Sequence, residues 1–67
     1  MIRGVVKGYD RLKGFGFIIG QDGEDYFVHV SGLREYLKEK GLRIGQRISF
    51  DIDYDIKGDK AVNVRAD

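Results

Sequence analysis

Lys13-Gly14-Phe15-Gly16-Phe17-Ile18, followed by Tyr26-Phe27-Val28-His29-Val30, decides how this chain folds. A β-strand turns successive side chains to opposite faces. Read as two strands, these stretches put Phe15, Phe17, Phe27 and His29 on one face. Gly14, Gly16, Ile18 and Val28 fall on the other. The aliphatic set suits a core, so three flat rings and an imidazole face water beside Lys13. A contiguous exposed apolar surface marks a binding site. The ligand that suits stacked rings next to positive charge is a single-stranded nucleic acid.

The flanking sequence supplies the rest of a sheet. Strand one is expected over Ile2 to Tyr9, strand two over Phe15 to Ile19 and strand three over Tyr26 to Val30. Strand four runs from Arg47 to Tyr54, where Ile48, Phe50 and Ile52 alternate with Ser49, Asp51 and Asp53. That period of two gives one dry and one wet face. Strand five covers Ala61 to Ala66. Asp22-Gly23 between strands two and three is a hairpin signal, and Lys57-Gly58-Asp59 does the same between strands four and five. Leu33, Tyr36, Leu37 and Lys40 fall at helical spacing, with Gly41 where a helix stops. A short helical turn or a long loop is therefore expected between strands three and four.

Five short antiparallel strands leave exposed edges, which closure into a barrel removes. The five-stranded Greek-key barrel of the OB-fold has the right size, and its second and third strands form the ligand face. This all-β reading predicts a core of Val6, Ile18, Val28, Leu33, Ile48, Phe50, Ile52, Val62 and Val64. Gly14 and Gly16 point inward, where a bending strand lacks space for side chains.

The chain has 67 residues, near the lower limit for independent folding, so residues 1–67 are expected to form one domain. It has no cysteine, which excludes disulfides and thiolate metal sites and fits a reducing compartment. The opening Met1-Ile2-Arg3-Gly4 does not read as a signal peptide. No apolar run reaches membrane-spanning length, and a cytoplasmic location is expected. Net charge is only +1, but its distribution is uneven. Residues 1–18 carry Arg3, Lys7, Arg11 and Lys13 against Asp10 alone. Residues 31–47 carry five cations, Arg34 to Arg47, against Glu35 and Glu39. Acidic residues concentrate at 21–25 and 50–60.

The Lys13–Ile18 and Tyr26–Val30 strings resemble the two ribonucleoprotein motifs of bacterial cold shock proteins. The resemblance extends from Gly4-Val5-Val6-Lys7 through Gly45-Gln46-Arg47-Ile48-Ser49-Phe50 to Asn63-Val64. It implies a five-stranded barrel that binds single-stranded RNA or DNA, and a role as RNA chaperone or regulator of transcription or translation. Carried over by position, it implies stacking platforms at Tyr9, Phe15, Phe17, Phe27 and His29, with Lys7 and Lys13 as basic companions. Arg11 stands where it can help them at phosphates. Three departures stand out. Gly8 replaces the usual tryptophan, Val30 replaces an aromatic after the histidine, and the following loop is longer. Tyr36 is the candidate substitute for that loop's usual aromatic. With platforms missing, weaker binding than is typical of the family is expected.

Other chemistries find little support. A lone histidine without nucleophile or partner carboxylate is no catalytic centre, so no enzyme, metal site or cofactor is expected. Asp51, Asp53 and Asp55 resemble a carboxylate cluster but read as a solvated strand face. Lys13 to Phe17 also resembles the first motif of RNA-recognition domains, yet strand three follows too soon for the helix that fold needs. The alternative function is a diverged barrel that docks proteins on its aromatic face. A monomer is expected, with no membrane contact.

Overall fold

The computed structural model describes residues 1–67. Its elements are β1 (Ile2–Asp10), β2 (Phe15–Gly20), β3 (Asp25–His29), a 3₁₀ turn (Val30–Gly32), α1 (Glu35–Lys40), β4 (Arg47–Asp53) and β5 (Lys60–Ala66). The strands close into a barrel in the order β1-β2-β3-β5-β4. This is the all-β OB-fold architecture that the alternation pointed to. One seam differs from the all-antiparallel expectation. β3 and β5 run parallel, with Phe27 opposite Lys60 and Val28 opposite Ala61. Parallel neighbours need a long crossover, and residues 30–59 provide it through the 3₁₀ turn, α1 and β4.

The nine-residue β1 serves two neighbours. Ile2 to Val5 pair with β4, while Gly4 to Asp10 pair with β2. The register on β2 slips between Val6 and Gly8, opposite Ile18 and Phe17. Such a bulge bends the strand and re-aims its side chains. Gly16 is what lets β1 and β2 pack at this bend. A Cβ on it would meet the Gly8 carbonyl oxygen and lie 2.7 Å from Tyr9 Cα.

Phe50, Ile18, Ile48, Val6, Val28 and Val64 are fully buried. Each such side chain stabilises the fold by about 1.5–3 kcal/mol relative to exposure. Tyr26, Leu33, Leu37, Leu42 and Ala61 complete the core. The Tyr26 ring meets Phe50 edge-on at 5.3 Å, and its hydroxyl donates to Asp22 Oδ2 at 2.6 Å. Leu33, Leu37 and Leu42 anchor the crossover in the core, and Gly41, with φ of 69°, terminates α1.

Two expected core residues sit elsewhere. Ile52 is half-buried against the core. Val62 is half-exposed, and Ala61 takes its inward place. The cause is Asn63, whose φ is 55°. Opposite it the register skips, with Ser49 facing Arg65 and Asp51 facing Val62. One extra residue on β5 shifts the inward set from Val62 and Val64 to Ala61 and Val64. The Asn63 amide donates to Asp51 Oδ2 at 3.0 Å and fixes the bulge. Strand three also ends one residue early, at His29, because Val30 opens the 3₁₀ turn.

Candidate nucleic-acid interface

β2 and β3 deliver the aromatic row. Phe15 lies opposite His29, and Phe17 opposite Phe27. Their inward neighbours Gly16, Ile18 and Val28 are buried, which forces the rings outward. Phe15 and Phe17 are 37% and 48% exposed, His29 is exposed and Phe27 half-buried. The Phe15–Phe27 centroids lie 5.9 Å apart at 30°, and Phe17–Phe27 5.8 Å apart at 73°. Each ring supports the next and keeps a face or edge free.

His29 is oriented by the turn that follows it. The Ser31 backbone N–H donates to its Nδ1 at 3.1 Å, and the Ser31 hydroxyl lies 2.9 Å away. A ring nitrogen that accepts an N–H carries no proton itself, so in the neutral ring the proton is on Nε2. The exposed imidazole therefore presents an N–H donor beside the phenylalanines.

Lys7 reaches across β2 to Asp25 Oδ2 at 3.2 Å. It borders a groove of about 470 Å³ shared with Gly8, Tyr9, Phe15 and Phe17. Gly8 pairs with Phe17, and nothing lies within 4 Å of the position its Cβ would occupy. The place of the usual tryptophan is thus an open space. Tyr9 lines the same groove, but its ring is half-buried against the core rather than standing in the row. That burial pushes its phenol pKa up. Arg11 and Lys13 lie in the β1–β2 turn, where Asp10 Oδ1 accepts from the Leu12 and Lys13 amides at 3.0 Å. Lys13 is exposed and makes no ion pair.

Tyr36 is not brought to this face. Its hydroxyl accepts from the Ala66 amide at 2.8 Å, at the C-terminal end of β5 beside Arg34 and Arg65. The rings face the other end of β5, at Lys60. The six-residue helix carries Tyr36 away because Leu37 is its buried residue. Two cations escaped the sequence reading. Lys57 and Lys60 line a second groove of about 390 Å³ with Phe17 and Phe27. Lys60 also pairs with Asp55 at 3.5 Å. No local signal places them there, because the parallel seam alone decides it.

Two of the three acidic residues, Asp51 on β4 and Asp55 just beyond it, are engaged within the chain. Asp51 takes the Asn63 amide and the N-terminal amine, the latter at 3.6 Å. The Asn63 bond holds its carboxyl below the usual range. Asp55 accepts from the Lys57 amide, which likewise lowers its pKa. No group of three acidic or histidine side chains is arranged to hold a metal.

A closed five-stranded OB barrel with rings on its second and third strands and cations on the elements beside them defines a class, the small oligonucleotide-binding barrels. Comparison with known proteins narrows it. The model of the 'Cold-shock' DNA-binding domain matches residues 2–66. The chain is 42% identical over 65 residues to cold shock protein CspC of Bacillus subtilis, covering 97% of each. It is 42% identical to cold shock protein 1 of Lactiplantibacillus plantarum, covering 96% of each. Against the major cold shock protein of Streptococcus pyogenes identity is 39%, over 96% of this chain and 94% of that one. The chain belongs to the cold-shock domain family of nucleic-acid-binding proteins.

Proposed function

We propose that this protein binds single-stranded RNA or DNA without catalysing a reaction, and acts in the cytoplasm as a monomeric RNA chaperone or regulator of transcription or translation. The observation that carries the binding reading is the exposed row Phe17–Phe27–Phe15 with His29, flanked by Lys7, Lys57 and Lys60, with exposed Lys13 in the turn that leads into β2. Bases stack on the free ring faces. The outward Nε2–H of His29 donates to a base edge, and the lysines neutralise phosphates. Stacking of this kind tolerates most sequences, because every base has a π-face. The open space at Gly8 and the valine at position 30 leave fewer platforms. Affinity for a plain oligothymidine at physiological salt is therefore micromolar or weaker, and submicromolar binding overturns that part of the reading.

Fluorescence anisotropy of labelled oligothymidine and oligouridine tests the proposal at two salt concentrations. Each phosphate contact contributes about −0.7 to the log-log salt slope on single strands. The Phe17→Ala/Phe27→Ala variant removes two platforms, worth about 2–6 kcal/mol together. Saturable binding that weakens with salt and collapses in the double variant is the expected result. No binding even at low salt refutes it and points to a protein partner on the aromatic face.

A further inference from the structure

Beyond Tyr9 the surface continues into a third groove, of about 590 Å³, at the C-terminal end of α1. Its rim holds three cations, Arg11, Lys40 and Arg43, and one carboxylate, Glu39. None of the three cations lies within 4.0 Å of any carboxylate. Arg11 is nevertheless fixed. It sits in the turn held by Asp10, and its Nη2 donates to the Glu39 carbonyl oxygen at 2.7 Å. A guanidinium has five N–H donors, so the remaining ones are free for a ligand. Arg43 is tied through its backbone, where its amide donates to Gln46 Oε1 at 3.0 Å.

This groove joins the ring face rather than standing apart from it. Gly41 lies against the Tyr9 ring, where a Cβ would come 3.3 Å from Cε2 and 3.6 Å from Arg11 Cγ. Tyr9 in turn lines the groove that holds Phe15 and Phe17. The track therefore runs from the rings past Tyr9 into a cationic channel with a single acidic neighbour and no exposed ring. Charge without rings suits the phosphodiester backbone rather than the bases.

We infer that Arg11, Lys40 and Arg43 form an extension site for the sugar-phosphate backbone of the same single strand that stacks on Phe15, Phe17 and Phe27. This rests on the nucleic-acid reading above and adds to it a site size and a second mode of contact. A strand short enough to cover only the rings does not reach the channel, whereas a longer one does. The longer strand's affinity is thus the more salt-dependent of the two, through contacts that do not involve stacking.

The test compares oligothymidines of about four and about twelve nucleotides, a span of site sizes common for such barrels. Wild type, Arg11→Gln/Arg43→Gln and Lys40→Gln/Arg43→Gln are titrated across a fourfold rise in salt. The second variant leaves the Arg11–Glu39 bond intact, and thermal unfolding of each variant checks the fold. Loss of two phosphate contacts flattens the salt slope for the longer strand by about 1.4, which is about a sevenfold smaller loss of affinity over that salt range. Lys40→Gln/Arg43→Gln, which leaves Arg11 in place, does not change binding of the shorter strand. Equal slopes in wild type and folded variants for the longer strand overturn the extension site while the ring site stands. Failure of both strands to bind wild type at low salt overturns the nucleic-acid reading itself, and the extension with it.

Discussion

Replacing Gly8 by tryptophan is the most direct test of which parts of the sheet meet the ligand. Gly8 sits opposite Phe17 on the outward side of β1, beside the groove bordered by Lys7. A Cβ there meets no atom within 4 Å, and the backbone is not in the left-handed region. The first atom of a side chain there therefore enters open space without pressing on the barrel. It adds one platform next to Phe17, worth about 1–3 kcal/mol, which corresponds to about 5- to 140-fold tighter binding. Removing a strand glycine also stabilises the fold by about 0.5–1 kcal/mol. Gly8→Ala supplies the backbone gain without the ring and is the proper reference. Anisotropy titration with labelled oligothymidine at fixed salt gives the affinities. The chain has no other tryptophan, so quenching of its emission reports stacking at that one position. Equal affinity of folded Gly8→Trp and Gly8→Ala, with no quenching at saturation, refutes the idea that the β1 edge belongs to the site.

Three further outcomes concern the scaffold. Gly16→Ala drives a Cβ into the β1 backbone at Gly8 and Tyr9, so stability in urea falls by the upper part of the about 1–3 kcal/mol typical of overpacking; unchanged stability refutes the close approach. Asn63→Val forces a branched residue to adopt a left-handed φ and deprives Asp51 of its amide partner; a loss of about 1–3 kcal/mol is expected, with Asn63→Gly milder, and the reverse order in chemical denaturation counts against the bulge. Tyr26→Phe removes the hydroxyl that chiefly holds the Asp22 carboxyl below its usual pKa. A depressed folded pKa gives stability that is present above the unfolded value and lost as pH falls through the folded one. The gap between wild type and Tyr26→Phe is therefore open at neutral pH and closes in acid. The Tyr26 phenol, pushed up to about 12 mainly by the same bond, has the opposite sign. Its contribution is present below the unfolded value of 10.0 and lost as pH rises through about 12. Denaturation midpoints across the acid range that keep a constant gap refute the Asp22 pairing.

Most of the ring face was legible because its signal is local. Phe15, Gly16, Phe17 and Ile18 alternate within one strand, and burial of Gly16 and Ile18 leaves the phenylalanines only the outer side. The same alternation in Tyr26–His29 placed Phe27 and His29 beside them. Turns marked by Asp22-Gly23 and Lys57-Gly58 set the strand count, and size then favoured closure over an open sheet. Gly8 and Val30 stood out as missing aromatics only through the resemblance to cold shock proteins, since alternation says which way a position faces and not which residue belongs there.

What the chain could not state locally depends on residues far apart in sequence. The parallel β3–β5 seam brought Lys57 and Lys60 to the rings, although nothing near either lysine announces it. The bulge at Asn63 moved Val62 out of the core and Ala61 into it, since a slip of one residue reverses every side chain on a strand. Helical spacing over residues 33–40 was readable, but not the direction in which the helix points. Burial of Leu37 sent Tyr36 to Ala66 and left Lys40 and Arg43 beside Arg11. Local periodicity thus chose which side chains face water. Closure of the barrel chose which of those exposed side chains meet, because that choice rests on pairings between distant strands.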